Sequence, residues 1–172
     1  LNESTIPGEL LKALQEIDPS DAQQRRTGAQ LVKMLMAQPA EKLKQERDAL
    51  LEAIDSDSRL LRSAAFAALT VGGDADQAQT FADKDPNSTL DWLRSVSLIP
   101  NAAMRAKQRP AVLKRLAEDQ SPAVRSAAAL ALGAAPNELP DTFRRLAELV
   151  KEPELRTAAV RTLLRIAPKH RD

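Results

Sequence analysis

The chain has 172 residues, 28% charged and 43% hydrophobic, with a formal net charge of +1, which suits a soluble folded chain long enough to bury a core. Aromatic residues make up only 2% (Phe66, Phe81, Phe143 and Trp92); this argues against a β-sandwich or barrel, which draws on aromatic and β-branched side chains. Cysteine is absent, which excludes disulfides, thiolate nucleophiles, Cys-ligated zinc and covalent haem attachment.

In chain order, apolar residues at helical spacing predict a first helix over 9–17, where Leu10, Leu14 and Ile17 share a face. Asp18-Pro19-Ser20 breaks it, and a helix around Arg25-Arg26-Thr27-Gly28-Ala29 follows. Gln38-Pro39 ends that helix. Leu43, Leu50, Leu51 and Ile54 predict the next over 41–54, then one around Leu61-Arg62-Ser63-Ala64-Ala65, closed by Gly72-Gly73-Asp74 with a glycine C-cap. A helix over 75–82 precedes Asp85-Pro86-Asn87, and Leu93-Arg94-Ser95-Val96-Ser97 lies on a helix that Pro100 cuts short. Helices over 102–117, around Val124-Arg125-Ser126-Ala127-Ala128, over 142–151 and around Leu155-Arg156-Thr157-Ala158-Ala159 complete the series. Ser121-Pro122 has the form of an N-cap with proline at the first helical position, and Ala135-Pro136-Asn137 and Glu152-Pro153 mark the last breaks.

These segments form an internal repeat. Arginines at 26, 62, 94, 125 and 156 are spaced by 36, 32, 31 and 31 residues, and the residues around them are small or apolar. Each copy reads as the second helix of a hairpin, and helices without any strand are expected. The stretch Asp119-Gln-Ser-Pro-Ala-Val-Arg125-Ser-Ala-Ala-Ala-Leu-Ala-Leu-Gly133 resembles a short HEAT repeat of the kind found in phycobilisome-lyase-like HEAT proteins. The resemblance implies an all-α, right-handed solenoid of about five helix hairpins over 1–172. It also implies pairing of a turn Asp with an Arg of its own or the next repeat, as Asp57 with Arg62 and Asp119 with Arg125. Asp85 is too far from Arg94 for that pattern. The regular recurrence of Arg62, Arg94, Arg125 and Arg156 points to a structural role, because a site would occur once.

Residues that could carry chemistry are few. His170 is the only histidine, next to the end of the sequence. Asp83, Asp85, Asn87 and Asp91 occupy oxygen positions of a calcium-loop pattern, but Ser88 replaces its glycine and Arg94 its closing acid; capping is the expected role. HEAT-like DNA glycosylases handle an extruded base with aromatic side chains, and Trp92 alone argues against that activity and against nucleic acid as partner. Arg105, Lys107, Arg109, Lys114 and Arg115 form a basic cluster on one helix. Thr27, Ser63, Ser95, Ser126 and Thr157 form a hydroxyl column, with Gln30, Phe66, Leu98, Ala129 and Val160 three positions on. The column reads as filling tight inter-repeat space; if the second helices line a groove, Phe66 and Leu98 face it. Two glycosylation patterns, Asn2-Glu3-Ser4 and Asn87-Ser88-Thr89, are short enough to arise by chance.

The expected function is therefore a protein-interaction or interdomain scaffold without catalysis, cofactor, metal or membrane span. The expected surface comprises Phe66, Leu98, Trp92, Arg105, Arg109, Lys114 and Arg115. A base-processing HEAT-like protein and a chromophore-lyase-like subunit are the alternatives, weakened by the lack of aromatics and of Cys or internal His respectively. The sequence starts at Leu1 rather than Met and reads as a segment of a longer protein. Similar HEAT arrays occur in large bacterial extracytoplasmic proteins, so the compartment stays open between that and the cytoplasm. Residues 1–86 hold 10 Lys/Arg and 15 Asp/Glu, residues 87–172 hold 15 and 9. A solenoid would place these charges at opposite ends, beyond the Debye length of roughly 8 Å, so the basic end should attract an acidic partner surface.

Overall fold

The computed structural model describes residues 6–118, 121–135 and 139–166, without the side chain of Leu139. Among them are eleven helices and no strand: α1 (Ile6–Gln15), α2 (Ala22–Met36), α3 (Ala40–Gln45), α4 (Arg47–Ile54), α5 (Arg59–Gly72), α6 (Ala75–Ala82), α7 (Pro86–Ser95), α8 (Ala102–Glu118), α9 (Pro122–Leu132), α10 (Leu139–Leu149) and α11 (Arg156–Ile166). The expected helix over 41–54 is broken at Glu46, where ψ rises to 16°. Apolar spacing does not foretell this break, since Leu43 and Leu50 lie seven residues apart on one face either way.

Local chemistry explains the ends of the second helices. Asp21, Ser58, Asp85 and Ser121 cap α2, α5, α7 and α9, each accepting one or two N–H bonds of the first turn. Pro86 and Pro122 occupy the first helical position, where the missing donor costs nothing. Gly73 closes α5 at φ 101°, a left-handed conformation that favours glycine. Helix α8 carries Pro110 on its exposed side.

The sequence reads as one repeat domain, and the chain falls into two compact units, residues 1–99 and 100–172. In the first, α1 packs on α2, α3 and α4 on α5, and α6 on α7; α5 touches every other helix of the unit. Its residues Ser63 to Thr70 are all buried, which the small side chains of Ser63, Ala64, Ala65, Ala67 and Ala68 allow. Leu14, Leu35, Leu43, Leu50, Phe66 and Trp92 fill the space around it.

In the second unit α8 packs on α9, α10 on α11, and α9 on α11. Val112, Leu116, Val124, Leu132, Leu146 and Ile166 form its core. Gly133 sits where a side chain would collide with the Thr162 methyl and the Arg165 guanidinium. The first unit carries 11 Lys/Arg and 16 Asp/Glu, a net of −5, and the second carries 14 and 8, a net of +6. Among the described residues no helix is long and apolar enough to cross a membrane.

Candidate functional site

The arginine register that the structure contains differs from the one read off the sequence. At the fourth position after the N-caps of α2, α5, α7 and α9 stands a residue whose side chain reaches back to carbonyls at the end of the preceding helix or in the turn after it. Arg25 donates to Pro19 O and Ser20 O at 3.0 and 2.8 Å. Arg62 donates to Ser56 O and Asp57 O at 2.7 and 3.0 Å, and Arg125 to Leu116 O at 2.9 Å. Arg156, four residues after Glu152, donates to Val150 O at 3.0 Å. In α7 this position is Thr89, whose hydroxyl donates to Ala82 O at 2.7 Å. The backbone bonds of Arg25, Arg62, Thr89, Arg125 and Arg156 to the residue four before confirm the equivalence.

Arg26 and Arg94 are therefore one and five positions out of register. The even spacing of about 31 residues misled because α7 starts early and is short, so that Thr89 follows Arg62 by 27 residues where Arg94 follows it by 32. The hydroxyl column is mixed for the same reason. Ser95 donates to Trp92 O at 2.7 Å and Thr27 to Gln23 O at 3.3 Å, both back-bonds to the preceding turn.

Two of these arginines also take a carboxylate from the helix pair that follows. Arg62 Nε donates to Asp91 Oδ2 at 2.6 Å, from α5 to α7. Arg125 Nη2 donates to Glu152 Oε2 at 2.8 Å, in the turn before α11. Arg25 is followed by α5, which offers Ser58 and Ala64 at the places of Glu152 and Asp91. The expected Asp57–Arg62 pair forms through the Asp57 carbonyl, not its carboxylate. Asp119, like His170, Asn2 and Asn137, lies outside the described residues.

Asp91 was the residue the sequence hid. It is 1% exposed and also accepts from Arg94 Nη1 at 2.7 Å, so its charge is shared between two cations in a desolvated site. That removes it from the calcium-loop pattern. Asp85 instead caps α7: the Ser88 hydroxyl, then the Ser88 and Asn87 N–H groups, donate to its carboxylate and hold it below its ordinary range. Among the described residues no three His, Cys, Asp or Glu side chains converge as a metal site. Thr89 of the Asn87-Ser88-Thr89 pattern is buried.

Several residues expected on an interaction surface are elsewhere. Phe66 and Trp92 are 0% and 2% exposed and belong to the core; small neighbours on α5 draw the large rings inward. Leu98 is half-buried in the turn after α7. Arg109 is 7% exposed, donating to Thr142 Oγ1 at 2.6 Å and Asp141 Oδ2 at 3.0 Å, so it ties α8 to α10. Its three- and seven-residue spacing to the buried Val112 and Leu116 is the signal that could have shown this. Arg105 donates to Ala134 O and Pro100 O, both at 2.7 Å. Arg115 is half-buried, and Lys107 and Lys114 are exposed.

Exposed large apolar residues occur instead at Ile6, Met34, Phe143, Val160 and Leu164, all on the first two and last two helices. No curated protein and no solved structure matched the chain. Residues 109–134, from within α8 to just past α9, match the family model described as HEAT repeat, so the chain carries a HEAT repeat in that segment.

Proposed function

We propose that the chain is a protein-interaction scaffold: about five short HEAT repeats, of the phycobilisome-lyase-like kind, stacked as a right-handed solenoid, with no catalysis of its own. HEAT repeats generally mediate protein interactions. The observation that carries the reading is what the buried and half-buried polar groups do. Arg62, Asp91, Arg109, Thr142, Arg125 and Thr89 each join one helix to another, so the polar side chains set geometry. The partner we infer is another protein, or another domain of a longer chain, with an acidic surface for the +6 unit. Burial of Trp92 weighs against a base-stacking role.

Affinity purification of the tagged chain from its native cells, with nuclease treatment and a salt series, tests this reading. A stoichiometric, nuclease-insensitive protein partner whose capture weakens with salt is the expected result. Excision of a damaged base from duplex DNA, or nucleic acid retained as the stoichiometric partner, would overturn it.

A further inference from the structure

The outer side of α11 differs from the same side of α5 and α9. Counting from the register residue, the positions four and eight on are Phe66 and Thr70 in α5, and Ala129 and Gly133 in α9; all four are buried. In α9 the cover is the next second helix, since Thr162 and Arg165 of α11 lie against Gly133. In α11 these positions are Val160 and Leu164, exposed by 39% and 69%. They stand one turn apart and make an apolar stripe.

The register arginine repeats the contrast. Arg62 and Arg125 are each 24% exposed and hold Asp91 and Glu152. Arg156 is exposed, and among the described residues its one partner is Val150 O. Helix α11 carries Arg156, Arg161 and Arg165 and no acid.

We propose that the Val160–Leu164 face of α11 receives an amphipathic helix of a partner protein, whose carboxylate pairs with Arg156 as Asp91 pairs with Arg62. This rests on the scaffold reading and names the surface and the chemistry of its partner. The mode is helix on helix, with an apolar stripe for area and an arginine–carboxylate pair for register. A second copy fits poorly: α11 on α11 opposes arginines to arginines, and the exposed side of α2 brings Arg25, Arg26 and Lys33.

The test uses the whole chain and a synthetic helical peptide of Ala and Leu with one Glu in its first turn, beside the same peptide with Gln. Fluorescence anisotropy should show the Glu peptide binding at least tenfold tighter. Arg156→Gln should erase that difference, and Leu164→Asp should weaken both peptides at least tenfold while leaving the melting temperature unchanged, since Leu164 is exposed. Equal binding of the two peptides, no binding of either, or a preference that survives Arg156→Gln would overturn the proposal. So would a concentration-dependent dimer that Leu164→Asp dissolves, which would assign the face to a second copy. If Leu164→Asp leaves capture of the cellular partner intact, this face is wrong and the scaffold reading stands.

Discussion

Helices α5 and α11 carry nearly the same motif, Leu61-Arg62-Ser63-Ala64-Ala65 and Leu155-Arg156-Thr157-Ala158-Ala159, yet they do different work. Helix α5 is wrapped by every other helix of its unit, and its arginine bridges α4 and α7. Helix α11 packs on α9 and α10 and leaves Val160 and Leu164 in water. The motif therefore sets how a second helix joins its own first helix. What lies on the far side is decided by the neighbour, which no local pattern records.

Paired substitutions break or sharpen this contrast. Phe66→Ala should lose about 3–5 kcal/mol, since a fully buried ring leaves a cavity; the register-equivalent Val160→Ala should change stability by less than about 0.5 kcal/mol. Urea unfolding of both variants checks this, and similar losses would deny that the two positions differ. Ala128→Arg in α9 should also cost several kcal/mol, because an unpaired charge enters a fully buried site. A wild-type melting curve for that variant would show that this face of α9 is misplaced.

Asp91→Ala comes next, at roughly 3 kcal/mol, because it strips Arg62 and Arg94 of a desolvated carboxylate. Arg94→Ala removes only the more exposed partner and should cost less than about 1 kcal/mol. Equal losses would mean that the α5–α7 tie runs through Arg94.

A smaller loss than that of Asp91→Ala is expected at a helix cap. Asp85→Ala should cost about 1 kcal/mol at neutral pH. Its folded carboxyl lies below the ordinary value of 3.8, so its contribution is present above that value and is lost as pH falls through the lower folded value. The difference between Asp85→Ala and the parent should therefore shrink in acid, and a difference unchanged from pH 7 to pH 2 would reassign the cap.

The sequence foretold an all-helical chain and the caps at Asp85, Ser121 and Gly73, because Ser, Asp, Pro and Gly act within one turn of where they stand; it did not single out the caps Asp21 and Ser58. It misplaced Arg26 and Arg94, because the spacing between repeats drifts while the distance from each cap does not. It set Arg109 and Phe66 on an interaction surface, because charge and size say nothing of the partner that buries a side chain, such as Asp141, 32 residues from Arg109. Arg109→Glu would now be read as damage to the α8–α10 tie; Lys107 and Lys114 are the exposed charges of that helix on which to test association rate.

The contrast between the two helices is tested most directly by native-state hydrogen exchange, amide by amide, along α5 and α11 of the free chain. Amides of α5 should exchange only through the largest unfolding of their unit, and those of α11 should exchange earlier, through local opening beside its uncovered face. Protection of α11 equal to that of α5 would contradict the account.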